Sequence, residues 1–443
     1  MNETRPAIRA SETAVATLGP RRHPSPLPLS RTHGDGIGNF VPDEARVRYD
    51  IDLKTGAPDE PDVFFEKAGP RAKLYFEPGG CTAAILTCGG LCPGLNNVIR
   101  SLYRQLSNYG VPRVLGVRYG YQGLSGRDCD APIELSPEFV DNIHQAGGTV
   151  LGASRGHQPT EVMLDTLRAW GVNLVFPIGG DGTQRGAREL AQAARAAGYD
   201  LAVVGVPKTI DNDLAFIDRS FGFNTAIAAA QRVLACAHNE ARGAPDGIGL
   251  VKLMGREAGF IAAAAAVANQ EVNFVLIPEI PFRLTGPGSL CELLAARMAR
   301  KHHAVIVVAE GAGQHLLPGD HGRDASGNRR HGDIGLFLSQ ALTTHFRDLG
   351  RPVNLKYIDP SYIIRSIPAN ADDSLLCDML ARDAVHAALA GKTEMLVGTW
   401  KSEFIHLPIG LAVRQKKRVD PEGDLWMSVY EATNQPLRMT PPD

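Results

Sequence analysis

Residues 201–213 read LAVVGVPKTIDND, and the interpretation of the whole chain starts from this stretch. Its first six residues are an uninterrupted apolar run, which predicts a buried strand. A lysine, a threonine and two aspartates follow immediately. In open α/β sheets, ligands bind in loops at the carboxyl ends of strands. Lys208 and Thr209 are therefore candidates for binding phosphate oxygens, and a carboxylate of this loop, Asp211 or Asp213, for accepting a proton from a hydroxyl. A polar turn that satisfies backbone N–H groups is the alternative.

Two further apolar runs each lead into a glycine loop and then into a helical pattern. Residues 83–97 read AAILTCGGLCPGLNN, and residues 174–183 read LVFPIGGDGT. Glycine lets backbone N–H groups approach a phosphate closely, and the start of a helix adds partial positive charge. Neither loop continues into the Gly-Lys-Ser/Thr of a Walker A motif. Asp181, inside the second loop, is a candidate Mg²⁺ ligand, because Mg²⁺ on phosphates usually takes one or two carboxylates.

Length, charge and cysteine usage narrow the class of protein. The 443 residues are enough for two domains, and a formal net charge of −2 gives no sign of nucleic acid or an anionic membrane as partner. The seven cysteines are scattered, with no disulfide or zinc-finger spacing. There is no apolar run of membrane-spanning length. We therefore expect a cytoplasmic protein without a membrane segment.

Strand and helix patterns alternate regularly from about residue 81 onward. Apolar strands are predicted at 82–87, 113–117, 172–178, 201–206, 247–253, 273–277 and 304–309. Helical patterns fill the gaps between them, and Ser289 with Glu292 predicts a capping box at the start of one helix. This alternation predicts doubly wound parallel sheets with helices on both faces. Residues 1 to about 40 are rich in proline and basic residues, which favours an extended arm or disorder.

A second set of ligand-type residues lies further along the chain. Residues 252–259 read KLMGREAG, where Arg256 is expected to project from the start of a helix and to offset charge on phosphate. Glu310 follows the strand at 304–309 and is a candidate acceptor for sugar hydroxyls. The alternative for Arg256 is a surface arginine paired with Glu257. The alternatives for Glu310 are a substitute for a helix N-cap and a solvated loop acid.

Two further segments carry clusters of basic residues. Residues 356–365 read KYIDPSYIIR, and Lys356, Tyr362 and Arg365 on an extended segment suit a sugar phosphate. The alternative is an edge strand with a half-buried tyrosine. Residues 414–418 read RQKKR, which is typical of a solvated face or of part of an effector site. We assign this run no role.

Taken in order, these blocks resemble the 6-phosphofructokinase family from about residue 80 to about residue 430. The resemblance rests on the glycine loop at 89–97, Gly179–Thr183, the 207–213 loop, Met254–Arg256, Glu310-Gly311 and Tyr362–Arg365. Lys208, the Ser154-Arg155-Gly156 block and the N-terminal extension resemble the ATP-dependent subgroup of trypanosomatids and some bacteria. The resemblance implies two Rossmann-like domains and an N-terminal extension at 1–79. It places nucleotide and Mg²⁺ on 80–222 plus about 364–415, and the sugar phosphate on 223–363 plus about 416–443.

The same resemblance implies roles for individual residues. Asp211 would be the base for the 1-hydroxyl of fructose 6-phosphate, Arg256 would stabilise the transferring group, and Gly182 and Lys208 would complete the catalytic set. Asp181 would hold the Mg²⁺ that accompanies ATP. The donor site would comprise Gly89, Arg155, Gly156, Gly180, Asp181, Gly182 and Thr183. The sugar-phosphate site would comprise Thr209, Ile210, Asp211, Met254, Gly255, Arg256, Glu310, Lys356, Tyr362 and Arg365.

The choice of phosphoryl donor depends on one residue. In the family, ATP users carry glycine at the position of Gly182, and pyrophosphate users carry an aspartate that would repel the α-phosphate. Lys208, in contrast, is typical of pyrophosphate users, but the trypanosomatid-like subgroup combines it with the glycine and uses ATP. We therefore expect ATP to be the donor. The resemblance further implies an enzyme of glycolysis that is allosteric and forms a homotetramer or homodimer. A pyrophosphate-dependent enzyme and a catalytically silent regulatory homologue are the alternatives. An NAD-kinase-like or lipid-kinase-like protein shares only the Gly-Gly-Asp-Gly-Thr loop.

Overall fold

The computed structural model describes residues 8–51, 62–126, 130–319, 322 and 330–439, and these residues group into two compact units. The first unit takes the chain up to Thr209, then Leu214–Gly222 and Ile367–Gln415. The second takes Ile210–Asp213, Phe223–Ser366 and the chain from Lys416 onward. The assignment of one domain to nucleotide and the other to sugar phosphate stays a prediction. Parts of the predicted segments 1–79 and 416–443, namely 1–7, 52–61 and 440–443, lie outside the described residues.

The elements follow the predicted alternation of strand and helix. The strands are β1 (Ala16–Thr17), β2 (His23–Pro24), β3 (Arg46–Arg48), β4 (Phe64–Lys67), β5 (Lys73–Leu74), β6 (Thr82–Thr87), β7 (Arg113–Val117), β8 (Ile133–Glu134), β9 (Leu174–Gly179), β10 (Ala202–Pro207), β11 (Gly247–Leu253), β12 (Phe274–Leu276), β13 (His303–Ala309), β14 (Asn354–Ile358), β15 (Lys392–Thr393), β16 (Met395–Trp400) and β17 (Glu403–Pro408). The α-helices are α1 (Leu95–Tyr109), α2 (Pro137–Val140), α3 (Thr160–Ala169), α4 (Asp181–Ala196), α5 (Phe223–Gly243), α6 (Phe260–Asn269), α7 (Leu290–Lys301), α8 (Ile334–Asp348), α9 (Ser361–Arg365), α10 (Ala371–Leu389), α11 (Ile409–Ala412) and α12 (Asp424–Thr433).

The first unit is built on a sheet that has nine strands in the described residues, in the order β3-β4-β17-β16-β10-β9-β6-β7-β8. Its central strands β16, β10, β9, β6 and β7 pair in parallel, and the flanking strands pair antiparallel. Both faces are buried, because Ala84 and Leu86 pack into one apolar cluster with Leu190 of α4. The alternate residues Ala83 and Ile85 are also buried, on the face covered by α1 and α10.

The second unit is built on a parallel sheet with the order β12-β13-β11-β14. Successive residues of β11 enter different apolar clusters. Val251 and Leu253 pack with residues of α5 and α6, whereas Ile248 and Leu250 pack with residues of α7 and α8. This alternation, with period two, buries both faces under helices. The predicted α/β fold with doubly wound sheets is therefore confirmed, with added antiparallel strands at the margins of the larger sheet.

The N-terminal arm is more regular than the sequence indicated. β1 pairs antiparallel with β15, and β2 pairs antiparallel with β5. The prediction of disorder was wrong for residues 8–40, although their extended conformation agrees with the alternative that was stated. Pro24 is tolerated in β2 because this short strand pairs on one side only and loses no second ladder bond. The arm is thus part of the first unit.

The predicted capping box at Ser289 forms only in part. The Ser289 hydroxyl accepts from the N–H of Glu292 at 3.4 Å, as predicted for the N-cap of α7. The Glu292 carboxylate accepts from the N–H of Gly288 at 2.5 Å. In a standard capping box it would accept from the N–H of the N-cap residue, Ser289.

Two global properties follow from the described residues. No helix among them is long and apolar enough to cross a membrane. The six cysteines that lie in the described ranges are free thiols, and five of them are buried.

Candidate functional site

In the first unit, the loop after β6 contacts the block at Ser154-Arg155-Gly156. The N–H of Gly89 donates to the carbonyl of Ser154 at 2.9 Å, and Cys88 forms an isolated parallel bridge with Ser154. Gly89 has a φ of +83°, which favours glycine. A Cβ at this position would lie 3.1 Å from Nζ of Lys208. The structure thus brings together Gly89, Lys208 and the segment that carries Arg155 and Gly156.

Lys208 is anchored between the two glycine loops. Its Nζ donates to the carbonyl of Gly90 at 2.7 Å, and its N–H donates to the carbonyl of Gly179 at 3.1 Å. β6, β9 and β10 are neighbours in the parallel part of the sheet, so their carboxyl ends lie on one edge. The side chain of Lys208 is buried. The ammonium group is therefore held at the first glycine loop, and the backbone of Lys208 at the second.

The second glycine loop forms the start of α4. Gly180 is the N-cap and Asp181 the first residue of the helix, so the loop N–H groups lie where helices bind anions. The side chain of Thr183 packs under Gly179, where any Cβ would lie 2.1 Å from its Oγ1. At Gly182, in contrast, a Cβ would meet no atom within 4 Å. The loop is tightly packed on its strand side and open at Gly182.

Asp181 has the properties of a metal-ligating carboxylate. It lies at the helix start with a mostly buried side chain, and Oδ2 is 3.8 Å from a guanidinium nitrogen of Arg185 on the next turn. Within the described ranges, no three His, Cys, Asp or Glu side chains gather into a metal site. A Mg²⁺ bound to phosphates needs only one or two carboxylates, so the donor set of this loop fits that ion.

In the second unit, Asp211 is the central acid. Its Oδ2 accepts from the backbone N–H of Arg256 at 3.3 Å. Its Oδ1 is buried and accepts no hydrogen bond from any described residue. Burial raises the pKa of Asp211 to about 7, with further contributions from the charges of Asp213 and Glu310, while the Arg256 N–H and the charge of Lys416 act in the opposite direction. The carboxylate is thus fixed through one oxygen and has a pKa near neutrality.

The loop that carries Arg256 is shaped by two glycines. Gly255 has a φ of +133°, and its carbonyl accepts from the N–H of Gly311 at 2.9 Å. A Cβ on Gly311 would lie 1.9 Å from the carbonyl oxygen of Arg256, so only glycine fits there. The N–H of Glu310 donates to the carbonyl of Leu253 at 2.9 Å. These contacts gather Met254, Gly255, Arg256, Glu310 and Asp211 at the carboxyl ends of β11 and β13.

The expected position of Arg256 at the start of a helix was wrong. α6 begins at Phe260, and residues 254–259 form the loop before it. The carboxylate of Glu279 accepts from the N–H of Gly259 at 3.0 and 3.1 Å, which fixes the end of this loop. The carboxylate of Glu257, the partner named in the alternative, lies 3.6 Å from a guanidinium nitrogen of Arg418.

The extended segment predicted for residues 356–365 ends at Ile358. Pro360 is the N-cap of the short helix α9, and the carboxylate of Asp359 accepts from both the hydroxyl and the N–H of Ser361, at 2.6 and 3.1 Å. These local hydrogen bonds start a helix where an extended chain was predicted.

Of the three residues in this segment that are expected to bind the sugar phosphate, Tyr362 and Arg365 lie together, and in the described ranges Lys356 has no hydrogen bond or ion pair that joins it to them. The Arg365 guanidinium lies 4.6 Å from the centroid of the Tyr362 ring, and 76% of Tyr362 is exposed, so the alternative of a half-buried tyrosine is also wrong. Lys356 lies on β14, an edge strand, and no hydrogen bond or ion pair among the described residues joins it to Tyr362 or Arg365.

Thr209 and Ile210 have backbone and packing roles. The carbonyl of Thr209 accepts from the hydroxyl of Ser220, and the Ile210 side chain packs against an apolar cluster of the second unit. A role for either residue in substrate binding stays a prediction.

Sequence reasoning missed one pair beside Asp211. The ammonium group of Lys416 lies 2.5 Å from Oδ2 of Asp213, which is itself buried. Residue type and loop position predict no role for Asp213 by itself, and they predict none for Lys416 in the basic run. No signal in one sequence joins two residues about 200 positions apart.

Comparison with known proteins places the chain in a family. The sequence profile described as phosphofructokinase matches residues 82–388. The chain is 46% identical over 437 residues to an ATP-dependent 6-phosphofructokinase of Borreliella burgdorferi, covering 96% of this chain and 97% of that one. It is 53% identical over 380 residues to the Amycolatopsis methanolica enzyme of the same name, covering 84% and 83% of the two chains. The Trypanosoma brucei brucei enzyme of that name is 46% identical over 372 residues, covering 83% and 76%.

Among solved structures, a pyrophosphate-dependent phosphofructokinase from Marinobacter aquaeolei superposes with a TM-score of 0.66. The match covers 82% of this chain and 93% of that chain at 21% identity. At this level of identity the superposition shows the fold and carries no information on the donor.

Proposed function

Because this chain belongs to the phosphofructokinase family, we propose that it transfers the γ-phosphoryl group of ATP to the 1-hydroxyl of fructose 6-phosphate and releases fructose 1,6-bisphosphate. The three sequence relatives described above are named ATP-dependent 6-phosphofructokinases, and each matches most of this chain. Their names support the activity predicted from the sequence. The structural observation that carries the proposal is Asp211, a carboxylate with one oxygen hydrogen-bonded to Arg256 N–H and the other without a hydrogen bond in the described residues.

Asp211 is suited to act as the general base. Oδ2 is held by the Arg256 N–H, so Oδ1 accepts the proton of the 1-hydroxyl. The hydroxyl oxygen then bonds to the γ-phosphorus of ATP, while the bond from that phosphorus to the β,γ-bridging oxygen breaks and ADP leaves. A pKa of about 7 balances ionisation at neutral pH against basicity. The guanidinium of Arg256 offsets the negative charge on the transferring group, which is the main demand of phosphoryl transfer.

Residues of the first unit bind the donor. The backbone at Gly89, Gly156 and Gly180 and the start of α4 cradle phosphate oxygens, and Arg155 and Lys208 supply positive charge. Thr183 supports the loop from beneath. Asp181 would hold a Mg²⁺, which supplies charge neutralisation on the phosphates when bound.

Residues of the second unit bind the sugar phosphate. Arg365 and Lys356 supply cations for the 6-phosphate, and Tyr362 supplies a phenol next to Arg365. Glu310 accepts from sugar hydroxyls, and Met254 and Gly255 shape the loop beside it.

The donor is ATP because position 182 is open. Nothing lies within 4 Å of a Cβ built on Gly182, so this side of the loop has room for an α-phosphate. Pyrophosphate dependence is the alternative, and Lys208 by itself is compatible with it. A silent regulatory homologue would lack part of the machinery, but Asp181, Asp211 and Arg256 are all present.

A coupled assay with purified protein, fructose 6-phosphate and Mg²⁺ tests this function. We expect fructose 1,6-bisphosphate to form rapidly with ATP and at a background rate with pyrophosphate. The reverse preference would replace ATP by pyrophosphate, and no product with either donor would remove the proposed activity.

Cellular setting and assembly extend the same proposal. We infer a cytoplasmic, glycolytic enzyme that assembles as a homotetramer or homodimer and responds to allosteric effectors. The free thiols of the described cysteines fit a reducing compartment. Size-exclusion chromatography with light scattering would measure the molar mass in solution. The mass of a monomer would contradict the proposed assembly.

A further inference from the structure

The basic run at residues 414–418 includes a segment that is built into the second unit. From Lys416 onward, each residue makes a specific contact. The ammonium group of Lys416 contacts Asp213, the N–H of Lys417 donates to the carbonyl of Asp213 at 2.9 Å, and Arg418 lies 3.6 Å from Glu257. The N–H of Val419 then donates to Glu279 at 2.8 Å. We call residues 416–419 the C-terminal strap.

The strap joins the two loops that form the surroundings of the base. Asp213, bound twice by the strap, is two residues after Asp211 in the same loop. Glu279, bound by Val419, also accepts from the N–H of Gly259 at the end of the Arg256 loop. The ammonium group of Lys417 lies 5.2 Å from the centroid of the Phe260 ring, at the start of α6. One short segment thus contacts both the proposed base loop and the loop whose N–H holds the base.

Four groups set the electrostatic surroundings of Asp211. Asp213 comes from its own loop, the Arg256 N–H from the loop after β11, Glu310 from the end of β13, and Lys416 from the strap. Two of these are anions that oppose ionisation of the base. Lys416 is the side-chain cation among the four that favours ionisation, and it contacts one of the two anions, Asp213, directly.

We propose that Lys416 is a positioning residue for the reaction: by pairing with Asp213, it holds the 210–213 loop and keeps the base Asp211 ionised near neutral pH. The proposal rests on the proposed function, in which Asp211 removes the proton from the sugar hydroxyl. Lys416 itself is assigned no contact with substrate. The basic run is therefore more than a solvated face, because its lysine at 416 acts on the base through Asp213.

The test compares pH profiles of kcat/KM for fructose 6-phosphate in the wild type, Lys416→Met and Lys416→Arg. Loss of the cation removes a positive charge that favours ionisation of Asp211 and so raises the pKa of this carboxyl, and the acid limb of the Lys416→Met profile moves to higher pH. We expect the ratio of wild-type to variant kcat/KM to be about tenfold at pH 6, corresponding to about one pKa unit, and to approach one at pH 9. Taking the ratio cancels the titration of the substrate phosphate. Lys416→Arg keeps the charge and should follow the wild type.

A matched control is available in the first unit. Lys67 contacts Glu403 at 2.8 Å, and its side chain is 39% exposed, against 33% for Lys416. Lys67→Met also removes one lysine from one carboxylate, and its kcat/KM ratio should stay near one at every pH. If Lys416→Met does not fold by circular dichroism, Lys416→Gln replaces it, because glutamine keeps a polar contact without the charge.

The outcomes separate this inference from the proposed function. A wild type that phosphorylates fructose 6-phosphate, together with a Lys416→Met ratio that is the same at pH 6 and pH 9, overturns the role of Lys416 and leaves the activity standing. A Lys416→Arg variant as impaired as Lys416→Met would also overturn it, because charge would then not matter. A wild type without phosphotransferase activity contradicts the proposed function itself.

Discussion

At the scale of single residues, two positions have opposite requirements for space. Gly311 must lack a side chain because the Arg256 carbonyl oxygen occupies the place of its Cβ. Gly182 has open space instead, so its lack of a side chain is not explained by packing within the chain. A glycine kept at an open site next to a phosphate-type loop points to a ligand that needs the room.

Gly182→Asp should therefore impair use of ATP without unfolding the protein. The new carboxylate would lie where the α-phosphate is proposed to bind, and like charges at close range cost several kcal/mol. We expect kcat/KM for ATP to fall by about two orders of magnitude, equivalent to about 2.7 kcal/mol. Coupled assays at varied ATP measure this change.

Gly243→Asp serves as the control for that substitution. It also adds a carboxylate at a glycine with nothing within 4 Å, at the end of α5. Its kinetics should match the wild type. ATP kinetics that are unchanged in Gly182→Asp would contradict the steric and electrostatic account of donor choice.

At the scale of elements, the main strands could be read from the sequence because buried parallel strands are continuous apolar runs. Thr82–Thr87 and Gly247–Leu253 were predicted to the residue. α9 could not be read in this way. Its start depends on hydrogen bonds between Asp359 and Ser361, which outweigh the extended preference of the preceding strand. The two-residue strands of the arm carry no periodicity, and their pairing partners lie far along the chain.

α9 carries Tyr362 and Arg365, so its anchoring should affect sugar-phosphate binding. Asp359 accepts two hydrogen bonds from Ser361 and lies 2.9 Å from the ammonium group of Lys252. We expect Asp359→Ala to raise KM for fructose 6-phosphate roughly tenfold, because the binding groups are no longer held in place, while kcat changes little. Steady-state kinetics at saturating ATP measure both constants.

The control replaces an aspartate of the same unit that makes no hydrogen bond to α9 among the described residues. Asp348→Ala removes an exposed carboxylate at the end of α8. It should leave KM for fructose 6-phosphate unchanged. An unchanged KM in Asp359→Ala as well would show that α9 does not bind the sugar phosphate.

At the scale of the whole molecule, the N-terminal extension is joined to the first unit by a buried ionic cluster. Glu66 on β4 contacts Lys392 at 2.8 Å, His406 at 3.0 Å and Arg71 at 3.2 Å. Burial alone would raise the pKa of Glu66, but the hydrogen bond with His406 and the charge of Lys392 outweigh it and lower the pKa well below its ordinary 4.5. Burial lowers the pKa of His406 itself, so near neutral pH this imidazole acts on Glu66 through the hydrogen bond. Removing one member of such a cluster leaves buried charges without compensation.

Glu66→Gln should lower the free energy of unfolding by about 3 kcal/mol at pH 7. Because the folded-state pKa is depressed, this stabilisation is present above pH 4.5 and is lost as the pH falls below it. The variant should lack that part of the pH dependence. Urea denaturation between pH 3 and pH 7 measures both effects.

Glu403→Gln is the matched control on β17. Glu403 is 49% exposed and Glu66 13%, and each lies 2.8 Å from a lysine. An exposed pair contributes at most about 1 kcal/mol. Equal losses in the two variants would contradict a structural role for the buried cluster.

The candidate site could be predicted as a set of residues but not as a set of contacts. The roles proposed for Asp181, Asp211 and Arg256 rest on residue type, loop position and family resemblance, and they stay predictions. The pairing of Lys416 with Asp213 could not, because it joins segments about 200 residues apart and depends on the folded path of the second unit.

The turnover of Asp211→Ser tests whether Asp211 is the base of an ATP-dependent 6-phosphofructokinase. With ATP, Mg²⁺ and saturating fructose 6-phosphate, kcat should fall by about three orders of magnitude, as expected when a general base is removed. KM for fructose 6-phosphate should change by only a few fold. A variant that retains a kcat near that of the wild type would show that Asp211 is not the general base.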